Sequence, residues 1–123
     1  MALTVADLIA RRDEIKNGRK SLYDIETSLG TITVKPPSLK VMDEVVGHGG
    51  RQNDIELIFE TTVTPNLKDK DLQQAYACAV PSDIVPMIFK AGEIGAIARA
   101  ILKSAGFGIN ELEIKIHEEI KNS

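Results

Sequence analysis

Residues 93–105 read EIGAIARAILKSA, and the apolar positions Ile94, Ile97, Ala98, Ile101, Leu102 and Ala105 fall three and four apart without a miss. With 3.6 residues to a turn, that spacing puts a continuous aliphatic stripe on one side of a helix. Gly106 follows where a left-handed C-terminal cap is wanted, and Phe107 is placed to fold back onto the last turn. A helix with so wide an apolar face must pack against something, and the chain on either side supplies the candidates.

Upstream, Pro81-Ser82-Asp83 starts a short helix bearing Ile84, Val85, Ile88 and Phe89, with Pro86 early enough to be tolerated in the first turn. Asp69 or Asp71 starts another through Leu72, Ala75, Tyr76 and Ala79. Asn53 and Glu56 have capping-box spacing ahead of Ile55, Ile58, Phe59 and Thr62, with Pro65-Asn66 as the next break. Before that, Ser38 caps a helix carrying Leu39, Met42, Val45 and Val46, which the run Gly47-His48-Gly49-Gly50 ends. From Leu22 to Val34 the rhythm changes to period two. Tyr23, Ile25 and Thr27 lie on one side, and Ile32 and Val34 follow after the Ser28-Leu29-Gly30 turn, which predicts a β-hairpin. Pro36-Pro37 stops its second strand, since neither residue has an N–H for a ladder.

At the N-terminus Thr4 and Asp7 have capping-box spacing, and Val5, Leu8, Ile9 and Ile15 recur on one face of a short helix expected to end near Asn17-Gly18. At the other end Asn110 can pair with Glu113 as a cap, and Leu112, Ile116 and Ile120 form a stripe four apart. Leu112, Ile114 and Ile116 also alternate, so residues 111–120 read equally as helix or strand. The expected fold is mainly α, a small helical bundle of about five to seven short helices with one N-terminal β-hairpin. No repeat or low-complexity linker divides the chain, and residues 1–123 are read as a single domain.

Composition narrows the functional classes. At 123 residues the chain has room for one core, and 43% hydrophobic with 27% charged residues is an ordinary globular balance. Only 4% are aromatic, with no Trp, so the core is aliphatic and few rings are free to stack on bases. A formal charge of -3 argues against a grip on phosphate backbones, despite the local cluster Arg11, Arg12, Lys16, Arg19 and Lys20. The single Cys78 has no partner for an internal disulfide, which suits a reducing compartment. No apolar run approaches membrane-spanning length and no export signal follows Met1, so neither membrane nor nucleic acid is the expected partner.

The residues that suggest chemistry each have a plainer account. His48 sits in a Gly-rich loop that lacks both the P-loop ending and the dinucleotide fingerprint, so a helix connection fits better. His117-Glu118-Glu119 would need a second His where Lys121 stands to hold zinc. Asp69-Lys70-Asp71 reads as helix-start acids rather than a calcium loop. Cys78 has only His48 and His117 as base partners and nothing to fix either beside it, so a small core thiol is expected. No catalytic residue, metal site or cofactor is expected. The tail stripe of Leu112, Ile116 and Ile120 differs from these, because it follows a core helix that already looks complete, and it is the candidate partner-binding surface.

The joint order of these pieces carries a resemblance. The hairpin followed by Val34-Lys35-Pro36-Pro37-Ser38, then Pro65-Asn66-Leu67 with Asp71-Leu72, then Gly92-Glu93-Ile94 and Ser104-Ala105-Gly106-Phe107, resembles the XkdN-like phage tail assembly chaperones of contractile-tailed phages and phage-like particles. The resemblance implies a non-catalytic chaperone with a scaffold signature at Pro37, Ser38, Gly92, Glu93, Gly106 and Phe107. It implies the tape measure protein as partner, with the tail tube protein and self-association left open. It also implies work in the host bacterial cytoplasm and absence from the mature particle, and such chaperones are often also made in a longer, frameshifted form. The variable regions are then expected at the Gly47 to Asn53 loop and the last dozen residues. Two other readings stand beside it: a structural or adaptor subunit retained in the tail, and a small DNA-binding regulator suggested by the short helices and Arg11-Arg12.

Overall fold

The computed structural model describes residues 2–46 and 50–106. Among them the elements run α1 (Val5–Ala10), α2 (Arg12–Lys20), β1 (Tyr23–Thr27), β2 (Gly30–Val34), α3 (Leu39–Val46), α4 (Gly50–Thr61), β3 (Thr62–Thr64), α5 (Lys70–Ala75), a 3₁₀ turn (Pro81–Asp83), α6 (Ile84–Ile88) and α7 (Ala91–Ser104). The chain is mainly helical, as the spacing predicts. The helical stretch expected from residue 93 to 105 is α7, whose Ile94, Ile97, Ala98 and Ile101 are buried.

α4 and α7 pack on one another at the centre, with α3 and α6 against α4 and the hairpin strand β1 against α7. α4 buries Leu57, Ile58 and Phe59 in succession as well as Ile55, and three consecutive residues span most of a helix circumference. It is therefore enclosed from several sides. One cluster joins Ile32 and Val34 of β2, Val45 of α3, these α4 residues, Leu67, Ile84, Val85 and Phe89, and the buried face of α7.

The hairpin is part of a larger sheet than expected. β1 pairs with β2 in register, placing Ile25 opposite Ile32 and Tyr23 opposite Val34, but β3 adds to the other edge of β2 to make a three-stranded antiparallel sheet, β1-β2-β3. Thr62, expected in the helix before Pro65, is the first residue of that third strand. Thr61 and Thr62 donate their hydroxyls to the carbonyls of Leu57 and Ile58, each at 2.7 Å, which closes the last turn of α4. The β-branched run Thr62-Val63-Thr64 then covers backbone groups of β2 that would otherwise form an open edge.

Other boundaries moved for identifiable reasons. α4 begins at Gly50, so Asn53 lies within the helix and is not its cap. The N-terminal segment is two helices, not one, and passes Gly18 to end at Lys20. A glycine in an exposed helix costs only about 1 kcal/mol relative to alanine, too little to end the helix by itself. The caps at Thr4 and Ser38 form where the sequence places them, and of the two candidates Asp69 and Asp71 it is Asp69 that caps α5. Thr4 Oγ1 accepts from the Asp7 N–H at 3.1 Å while Asp7 Oδ2 accepts from the Thr4 N–H at 3.0 Å. Ser38 Oγ accepts from the Val41 N–H at 3.2 Å, and Asp69 Oδ1 from the Leu72 N–H at 3.0 Å.

Candidate interaction surfaces

The first surface is the N-terminal helix pair. Every described side chain from residue 2 to 18 is exposed, including the stripe Val5, Leu8 and Ile9, whose members are 73%, 46% and 60% accessible. These residues share one face of α1 by their spacing of three and four, and α1 makes its main contacts with α2 alone. Sequence reading found the stripe but not that it lies off the core. The signal was available in residues 11–20, where Ile15 is the one large apolar side chain among seven charged ones, leaving α2 little to bury.

The second surface is a groove of about 600 Å³ where parts distant in sequence meet. It is lined by Gly18 of α2, by Pro36 and Pro37 with the start of α3, and by Ser104 and Ala105 at the end of α7. Pro37 is buried, while Leu39 beside it is 81% exposed. α3 turns Val45 into the core and leaves Leu39 on the groove side without apolar cover.

Of the signature positions, Pro37 and Ser38 line the groove. Glu93 on α7 reaches the tip of the hairpin, where its Oε2 accepts from the Ser28 backbone N–H at 2.6 Å and its Oε1 from the Ser28 hydroxyl at 2.9 Å. The Ser28 N–H holds the Glu93 carboxyl below its ordinary pKa; burial opposes this, and the Ser28 hydroxyl and Lys90 reinforce it. Gly106 has φ +92°, the left-handed conformation expected of a C-terminal cap, and its N–H donates to the Lys103 carbonyl at 3.0 Å. At Gly92 a Cβ would meet open space. Phe107 and the stripe Leu112, Ile116 and Ile120 lie outside the described residues, as do His48 and His117.

The described candidates for chemistry take structural places. Asp69 caps α5. Cys78 is half-buried, its thiol 3.9 Å from the Met87 sulfur. Among the described residues no group of three or more His, Cys, Asp or Glu is placed to hold a metal ion, and no helix is long and apolar enough to cross a membrane.

The described residues thus combine a largely aliphatic core with exposed aliphatic side chains. The family model of the Phage XkdN-like tail assembly chaperone protein matches residues 40–121, two thirds of the chain, and the chain belongs to that family. A crystal structure of the protein YqbN has the same fold, with a TM-score of 0.56 over 71% of this chain and 87% of that one, at 18% sequence identity. No curated protein matches the sequence. α1, α2, the hairpin and Leu39 precede the family-matched region, which takes in the rest of α3, all of α4 through α7 and the sequence as far as residue 121.

Proposed function

We propose that this chain is a non-catalytic chaperone that holds the tape measure protein in the host cytoplasm while tail tube subunits polymerise around it, and that it is absent from the finished particle. The observation that carries this reading is family membership in a chain whose described residues form one aliphatic core and leave the aliphatic side chains of Val5, Leu8, Ile9 and Leu39 exposed. Exposed aliphatic surface of this kind suits transient burial of apolar partner segments. The net charge of -3 favours solubility while that surface is free. The stripe Leu112, Ile116 and Ile120 is assigned the first contact with the partner.

Co-expression with the tape measure protein tests the proposal. Changing Leu112, Ile116 and Ile120 together to Ser is expected to leave the far-ultraviolet circular dichroism of the chain unchanged while soluble tape measure protein and its pull-down both fall. Unaltered capture would move the binding surface elsewhere, and unfolding of the variant would make the stripe ordinary core. Mass spectrometry of purified tails separates a chaperone from a retained subunit, since a chaperone is expected far below stoichiometric amounts.

A further inference from the structure

We propose that in the unliganded protein the segment 107–123 docks in cis into the groove between Gly18, Pro36–Met42 and Ala105, so that the apolar stripe is stowed on the chain's own body until a partner displaces it. The proposal goes beyond the chaperone reading and does not depend on which partner is held. Three observations carry it.

The first is where the described chain stops. Ser104 and Ala105 are groove wall, and Gly106, in its left-handed cap, turns the chain off the axis of α7 at that rim. Segment 107–123 thus starts beside the cavity. Its 17 residues would reach about 25 Å as a helix, and farther if extended. The second is the character of the groove. Leu39 on the groove is 81% exposed, Met42 beside it packs on the core but stays half-open, and Ile15, 38% exposed, lies one helical turn before Gly18 on the same face of α2, so the groove and its rim present open aliphatic surface. Leu112, Ile116 and Ile120 supply aliphatic side chains within the segment that follows. The third is charge. The sequence of residues 11–20, of which Gly18 lines the groove, holds five cations against two acids, and Lys40 lines the groove. Residues 107–123 hold four acids, Glu111, Glu113, Glu118 and Glu119, against two lysines. Opposite charges flanking apolar surface favour this pairing over self-association through like faces.

Amide chemical shifts of the full-length, isotope-labelled protein test the docking from both sides. One variant carries Leu112→Ser, Ile116→Ser and Ile120→Ser. The other carries Leu39→Asp, a site exposed enough that folding should survive. The tail variant is expected to shift the amides of Gly18, residues 38–42 and Ala105, and Leu39→Asp to shift amides between 112 and 120. Both patterns should persist unchanged on tenfold dilution. Adding an unlabelled synthetic peptide of residues 107–123 to the tail variant should return the groove amides toward their wild-type positions in a saturable way. Shift changes confined to the substituted residues and their chain neighbours would overturn the proposal. So would coupling that fades on dilution, which would place the tail on a second copy, or shifts centred on α5 and α6. None of these readouts involves the tape measure protein, so loss of capture and loss of docking are scored separately.

Discussion

Ile101→Ala measures how the stability of this chain is divided between its body and its N-terminal helices. Ile101 is fully buried in the cluster shared by α4, α7 and the sheet. The substitution removes three carbons, worth about 2.4 kcal/mol at roughly 0.8 kcal/mol for each buried methylene-sized group. The cavity left in a core held by α4 on one side and the sheet on the other adds to this, giving an expected loss of about 3–4 kcal/mol. For a folded unit near this size that corresponds to a fall of roughly 10–25 °C in Tm. Ile9→Ser is the matched control, since Ile9 is 60% exposed and its loss should change stability by no more than about 0.5 kcal/mol. Urea unfolding followed by circular dichroism gives both numbers, with an unchanged denaturant slope showing that the compactness of the end states is preserved. If Ile101→Ala costs less than about 1 kcal/mol, or if Ile9→Ser costs as much as Ile101→Ala, the packing argument is wrong.

Gly106→Val should destabilise by about 1–2 kcal/mol, because a β-branched residue resists φ +92°, and the same urea titration reads it. Ser38→Ala removes the hydroxyl that accepts the Val41 N–H and should cost about 1 kcal/mol by thermal unfolding. Glu93→Gln should lower the urea midpoint at neutral pH. The folded-state pKa of Glu93 is depressed, so its contribution is present above the ordinary carboxylate value and disappears as pH falls through the lower folded value. The gap between wild type and Glu93→Gln should therefore narrow below about pH 4.5, and a gap constant from pH 7 to pH 3 would show that the carboxylate charge is not what matters.

Elements with local signals were legible in the sequence. α7 declares itself by an unbroken stripe and a glycine cap, the hairpin by alternation ended by Pro36-Pro37, and two helix starts by Thr4 and Ser38, with a third narrowed to Asp69 or Asp71. β3 was not legible, because three residues are too few for a period and the pairing that makes Thr62–Thr64 a strand lies in β2, some thirty residues earlier. Asn53 with Glu56 shows the reverse error, a correct cap spacing made irrelevant when α4 starts earlier at Gly50. The surface was legible only in part. The stripe on α1 could be read, but whether an amphipathic helix finds a partner is decided by the body around it. The groove joins Gly18, Pro37 and Ala105, which no local pattern connects.

The hydrogen bonds between Ser28 and Glu93 join residues 65 positions apart, and that separation bears on the order in which the molecule assembles. Closing a loop of that length costs roughly 4 kcal/mol of chain entropy by the logarithmic rule, against about 1 kcal/mol for the hairpin turn alone. A surface hydrogen bond cannot offset such a cost by itself, so the hairpin tip is expected to meet Glu93 only after α4 and α7 have collapsed together. The contact then acts as a seal on an assembled body, and its loss should appear as faster unfolding with the folding rate left nearly unchanged.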